Sequence, residues 1–283
     1  MKLRIFTVFH RSIDERLIFE QFSRAELDEY FSLYAVSERH PQKSLTRLDG
    51  AASSVTVSGP GVTFESQLRW YEPAIQARGF METSCYIHVL KNELYASFDY
   101  IGVTQYDMRW KSAAAEIVRA LAREGGEGVS RNYGFVAGTI INAAGQFSPV
   151  AYERQVNWNF LLDSYNRFFG KQWTLRMLVN KPFTLFQTYL LPRAEFVALA
   201  QWLTVLCDEL YPWATEPPYE THWGALAGFT ERAEAVFMAA RLHEGLAELH
   251  TLPLEHDYGI AGQLDIQREH YLASPRAGSQ SAD

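Results

Sequence analysis

Asp99-Tyr100-Ile101-Gly102-Val103-Thr104-Gln105-Tyr106-Asp107-Met108 is an apolar run that breaks into polar residues at its far end. A short run of this kind predicts a buried strand, and its tip carries Asp107. Upstream, Glu82-Thr83-Ser84 through Lys91-Asn92 reads as a helix that delivers the chain into that strand. Ligands of open α/β sheets collect at the carboxyl ends of strands, so Asp107 is the first candidate site residue.

Working outward, Leu3 to Phe9 is a first strand. Ile13, Leu17, Ile18 and Phe22 recur at helical spacing and predict a helix over 13–22. Phe31 to Val36 is a second strand, which makes a βαβ unit with a parallel pair. Residues 40–63, rich in Ser, Gly, Pro and Thr, read as a loop with an edge strand or hairpin around Ser54-Val55-Thr56-Val57.

Further on, Ala113 to Arg123 is a helix stopped by Gly125-Gly126, and Gly128 to Pro149 reads as short strands and turns. Val156 to Phe169 is an amphipathic helix closed by Gly170, and Phe183 to Leu190 is a strand. Pro192 sits at the start of a helix over Ala194 to Tyr211. After Pro217-Pro218, His222 to Leu249 is mostly helical, with a last strand at Leu252 to Glu255. The expected architecture is one α/β domain over residues 1–273, with a mainly parallel central sheet flanked by helices and a helical carboxyl-terminal part. Ser274 to Asp283 is expected to be a disordered tail.

A chain of 283 residues, 47% hydrophobic and 21% charged, can bury a large core and is too apolar for disorder. The net charge of −7 speaks against binding driven by nucleic-acid phosphates. Cys85 and Cys207 show no metal or redox spacing and read as buried reduced thiols of a cytoplasmic protein. Met1 to His10 reads as a strand rather than a signal peptide, and no run of 18 apolar residues predicts a membrane span.

The ordered set of segments resembles a bacterial glycosyltransferase family of capsular and exopolysaccharide biosynthesis, long known only as a domain of unknown function. The similarity begins at Thr7-Val8-Phe9-His10-Arg11, continues at Glu82-Thr83-Ser84, Lys91-Asn92 and Asp99-Tyr100-Ile101-Gly102, and ends at Gly228-Phe229-Thr230-Glu231-Arg232. Leu190 to Phe196 and Gln201-Trp202-Leu203 lie between, so it spans roughly residues 3 to 240. It implies a GT-A type fold, a nucleotide-sugar donor and a glycan or lipid-linked acceptor. Where that family has His-Tyr-Arg-Arg, this chain has Gln105-Tyr106-Asp107-Met108, an acid and a thioether in place of two arginines.

Breaking the bond to a nucleoside diphosphate builds negative charge on phosphate oxygens, which must meet cations or helix N-termini. His10 and Arg11, just past the first strand, suit that task. The resemblance also puts Glu82, Gln105, Tyr106 and Arg232 on the donor side. Asp107 stands where other GT-A enzymes hold a divalent cation, Mn²⁺ or Mg²⁺, and His256 where several place a further ligand. Asp107 could equally cap the helix near Lys111 or bond the donor ribose, and His256 could be an ordinary surface histidine. Glu231 reads as a first-turn acid, an ion-pair partner or the base that deprotonates the acceptor. Asn157, Trp158, Asn159 and Tyr165 concentrate amides and rings in one helix and are assigned to the acceptor.

Glycine-rich phosphate loops, serine-hydrolase elbows and zinc-protease motifs do not occur. The expected function is a nucleotide-sugar-dependent glycosyltransferase. The alternatives are the same chemistry on a modified nucleobase or DNA, and a catalytically silent protein that binds nucleotide sugar or glycan.

Overall fold

The computed structural model describes residues 1–36, 41–77, 79–123, 135–137, 158–184, 186–212, 225–245 and 248–257. The chain opens with β1 (Leu3–Phe9), β2 (Ser12–Asp14), α1 (Glu15–Ile18), α2 (Arg24–Tyr30) and β3 (Phe31–Ala35). Next come β4 (Lys43–Thr46), β5 (Ala52–Val55), β6 (Val62–Phe64), α3 (Pro73–Ala77), α4 (Thr83–Lys91), β7 (Tyr100–Gln105), β8 (Met108–Trp110) and α5 (Ser112–Arg123). The carboxyl half supplies β9 (Phe135–Ala137), α6 (Trp158–Phe169), α7 (Leu175–Leu178), β10 (Tyr189–Pro192), α8 (Arg193–Leu210), α9 (Ala225–His243), β11 (Leu249–Thr251) and β12 (Leu254–His256).

The central sheet has the order β11-β9-β10-β7-β1-β3-β6. β1 runs parallel to β3 and β7, β3 to β6, and β11 to β9, whereas β10 is antiparallel to both β7 and β9. The expected mainly parallel α/β sheet is therefore present, with β10 reversed among its described strands. β3 and β6 lie on one side of β1 and β7 on the other. Strand order thus switches direction between β1 and β7, which is where open α/β sheets form a ligand crevice.

Side chains alternate across the sheet and feed two cores. Leu3, Ile5 and Phe9 of β1 pack with α1, α2 and α5, while Phe6 and Val8 pack with α4, α6, α8 and α9. Burial on both faces explains why β7 reads as an unbroken apolar run. Gly102 sits in β7 between Ile5 and Leu190, its register partners on β1 and β10. A Cβ there would overlap Leu190 Cδ2 and press on Ile5 Cγ1 at 3.0 Å, so glycine lets the three strands close up.

Several boundaries differ from expectation. The helix expected over 13–22 is replaced by β2, the short α1 and a turn. Glu15, 1% exposed, causes this: it accepts from Arg24, Arg47 and the Leu48 amide, which pulls it inside and leaves Leu17 45% exposed. The hairpin expected near 54–57 is β4–β5, but β6, expected as loop, joins the edge of the central sheet. The strand expected from Phe183 begins only at Tyr189, and the last strand, expected over Leu252 to Glu255, is β12 at Leu254–His256, with the further strand β11 before it. Gly125-Gly126, Pro217-Pro218 and the tail from Ser274 lie outside the described residues, as does most of 128–149.

Lys43 ties strand ends together. It is 1% exposed, and its Nζ donates to the carbonyls of His10 and Val36 at 2.7 Å each. Burial holds the ammonium down at about 8, against the pull of the Glu65 charge.

Two stability outcomes follow from this packing. Gly102→Ala should destabilise the fold by about 1–3 kcal/mol, as overpacking does; urea unfolding checks it, and an unchanged midpoint refutes the tight contact. Between about pH 8 and 10.5 the unfolded chain keeps the Lys43 proton that the folded chain releases. Stability from this residue therefore rises with pH across that window. The unfolding free energy of the parent minus that of Lys43→Met should climb between those limits, and a flat difference counts against the depressed lysine.

Candidate functional site

His10 and Arg11 continue β1 past its carboxyl end, and Gln105, Tyr106 and Asp107 end or follow β7 beside it. Both sets therefore reach the crevice at the switch point. The His10 ring meets the Tyr106 ring edge-on at 5.1 Å. Burial raises the Tyr106 phenol pKa, with the Asp107 and Glu82 charges adding to the effect.

β8 follows β7 after Tyr106 and Asp107 and pairs antiparallel with β12, setting His256 opposite Met108. The Asp257 amide donates to the Asp107 carbonyl at 2.8 Å, which clamps the end of β12 over the tip of β7. His256 Nε2 consequently lies 3.0 Å from Asp107 Oδ2. Asp107 Oδ1 is buried without a hydrogen-bond partner among the described residues. Burial raises the Asp107 pKa, and the His256 charge only partly offsets it. Asp107 does not cap α5, which begins at Ser112; its Oδ2 is turned to His256 instead.

Glu82 immediately precedes α4, yet its side chain bonds no helix amide. Met81 before it adopts φ +49°, and Gln76 Nε2 holds the Met81 carbonyl at 2.9 Å. Glu82 as a residue is half-buried there, and its carboxyl group is the buried part. Burial first, then the charges of Asp107 and Glu231, push its pKa up to about 7.

A third segment closes on the same place. Phe186 and Gln187 both have positive φ, +65° and +44°. Non-glycine residues held so cost on the order of 1–3 kcal/mol each and persist only where their surroundings over-determine them. The Phe186 amide donates to Glu231 Oε1 at 2.7 Å, and Glu231 Oε2 takes the Arg232 guanidinium. Gln187 Nε2 donates to Thr83 Oγ1 at 2.9 Å and to Glu234 Oε1 at 2.8 Å. Thr83 donates in turn to Thr230 at 2.7 Å. The result is a Phe186 ring stacked on His256, with centroids 5.2 Å apart and planes 3° apart.

The structure thus brings His10, Arg11, Glu82, Gln105, Tyr106, Asp107, Glu231, Arg232 and His256 to one end of the sheet. Glu231 and Arg232 neutralise each other there, and Glu231 also anchors the Phe186 turn. The acceptor assignment in α6 needs correction. Trp158 is 2% exposed against Phe183, and Tyr165 is fully buried among Trp202, Phe169 and Phe237, so both rings are core. Asn159 is exposed on that helix, and Asn157 lies outside the described residues.

Sequence reasoning passed over Met81, Phe186, Gln187 and the buried Glu234. No local signal marks a positive φ at a non-glycine residue, and Gln187 finds its partners far away in the chain.

Among the described residues no group of three or more His, Cys, Asp or Glu is arranged to hold a metal ion. His256 has its Nε2 on Asp107. Asp107 Oδ1, a buried carboxylate oxygen with no partner, does fit a hard cation that takes its remaining ligands from a bound anion.

No protein-family model matches the sequence, and no curated protein does. The fold is similar to that of a solved glycosyltransferase, the WbbM bifunctional glycosyltransferase in its apo form, with a TM-score of 0.53 at 12% identity. The match covers 90% of this chain but 45% of that one, so the chain spans under half the length of WbbM. At that identity the likeness is one of fold alone. Mouse xyloside xylosyltransferase 1, also apo, aligns over 88% of this chain and 85% of its own at 11% identity. Its TM-score of 0.33 carries no argument. No helix among the described residues is long and apolar enough to cross a membrane.

Replacing Glu231 with Ala removes the acceptor of the Phe186 amide and the counter-ion of Arg232. The expected loss is about 1–3 kcal/mol, the cost of a part-buried donor left without its partner. Urea unfolding measures it, and a change under about 0.5 kcal/mol, the scatter of neutral surface substitutions, would mean that Glu231 holds nothing.

Proposed function

We propose that the protein is a glycosyltransferase that takes a sugar from a nucleoside diphosphate and passes it to a hydroxyl of a glycan or lipid-linked acceptor. The observation that carries this reading is the partnerless, buried Asp107 Oδ1 at the β1–β7 switch point, in a fold similar to that of a solved glycosyltransferase. Such a position is where an open sheet receives a phosphorylated ligand.

In this reading His10 and Arg11 meet the donor diphosphate, and Tyr106 backs His10 from the side. Asp107 Oδ1 would hold a Mn²⁺ or Mg²⁺ ion, which supplies charge neutralisation of the departing diphosphate. His256 fixes the Asp107 carboxylate through Oδ2, and the Phe186 ring fixes His256 from its face. Glu231 and Arg232 act one step away, by anchoring the Phe186 turn. Cys85 and Cys207 are both buried, which supports the cytoplasm as the compartment.

A panel of UDP-, GDP-, dTDP- and CMP-sugars tests the reading by thermal shift and by nucleotide release. A true donor at 100 times its dissociation constant stabilises the fold by about 2.7 kcal/mol. Asp107→Asn should lower turnover of that donor by roughly 100-fold or more, about 2.7 kcal/mol at the transition state, while leaving the melting temperature close to that of the parent. Chelation of the parent should reproduce the loss. Full turnover by the variant in the presence of chelator would remove both Asp107 and the cation from the reaction.

A further inference from the structure

The four carboxylates that crowd the crevice are not equivalent. Glu231 spends one oxygen on the Phe186 amide and the other on Arg232. Glu234 is completely buried and holds the Gln187 amide. Asp107 is bonded through one oxygen to His256. Glu82 stands apart: its side chain caps no amide of α4, and among the described residues no cationic side chain pairs with its carboxyl group.

Its placement is also enforced. The preceding Met81 is held at positive φ with its carbonyl bonded by Gln76, and the following Thr83 is locked between Thr230 and Gln187. Strain is thus retained beside a carboxylate whose one backbone bond is to its own amide, and strained backbone of this kind clusters at sites that meet a ligand. A helix start ordinarily gains from an acid that bonds its free amides, and this acid makes no such cap bond.

Resting on the transferase reading above, we infer that Glu82 is the catalytic base for the acceptor and that transfer inverts the anomeric centre. The acceptor hydroxyl loses its proton to the Glu82 carboxylate as its oxygen bonds the anomeric carbon. The bond from that carbon to the phosphate oxygen breaks, and its electron pair leaves with the nucleoside diphosphate. A base separate from the leaving phosphate serves a one-step displacement from the opposite face of the sugar. Retention without a covalent intermediate instead brings the acceptor in on the leaving-group side, where the phosphate itself takes the proton.

The test uses the full chain, the donor panel and a pool of methyl glycosides as acceptors. In the parent, proton coupling constants of the product should report the anomer opposite to that of the donor. Glu82→Gln keeps the shape and should lower kcat by about 10²- to 10⁴-fold, the usual contribution of a positioned base. Its affinity for the nucleoside diphosphate, measured by calorimetry, should stay within about threefold, since a base is not a donor ligand. Glu82→Asp, which withdraws the carboxylate by one methylene, should fall between the two in kcat. A product of retained configuration overturns the inference without any variant, and so does a Glu82→Gln chain with kcat within tenfold of an active parent. A parent that neither binds nor turns over any donor overturns the transferase reading itself, and the base with it.

Discussion

One amide side chain joins the parts of this molecule that meet at the crevice. Gln187 Nε2 is shared between Thr83 at the start of α4 and Glu234 in the middle of α9, and the residue's backbone carbonyl accepts the Tyr86 hydroxyl at 3.1 Å. All four residues are buried, where a donor or acceptor left alone costs about 1–3 kcal/mol. Satisfying them together requires the backbone at 186–187 to take positive φ, and that turn carries the Phe186 ring onto His256. The reversed strand β10 starts two residues later, so the same junction fixes where the antiparallel edge of the sheet begins.

The second constraint is electrostatic. Glu82, Asp107, Glu231 and Glu234 lie at one end of the sheet, and Arg232 is matched to Glu231. Burial raises the carboxyl pKa of Glu82, Asp107 and Glu234, and neighbouring acids add to the effect at each. A folded chain tolerates this only because two of the four are bonded into the Gln187 and Phe186 turn. Of the other two, Asp107 is only partly offset by His256 and Glu82 has no cation beside it among the described residues, so a bound cation or a proton can neutralise what remains.

How much of this the sequence discloses depends on range. The buried strand, its helix and its acidic tip were readable because an apolar run covered on both faces looks the same in any context. The parallel β1–β3 pair followed from the spacing of two such runs. Glu15 shows the opposite case: a helical pattern from Ile13 to Phe22 was broken by two arginines, at 24 and 47, that no periodicity includes. In α6 a signal was present and misread, since Trp158, Leu161, Leu162 and Tyr165 recur at i, i+3, i+4 and i+7, the spacing of a core face.

The pairing of Asp107 with His256 was the least accessible feature, because it joins positions 149 residues apart. Nothing in either local sequence requires it. It arises from two antiparallel segments of three residues each, β8 and β12, whose register sets His256 opposite Met108, next to Asp107. A shift of that register by one residue would turn His256 to the other face of the pair. Two features resist such a slip: the Asp257 amide bonded to the Asp107 carbonyl, and the face-to-face packing of His256 on Phe186. Because Phe186 is held by Glu231 and Gln187 by Glu234, the register of the short β8–β12 pair is tied to the interior of α9. The geometry of the acid at the strand tip is therefore a property of the whole carboxyl half rather than of the loop that carries it.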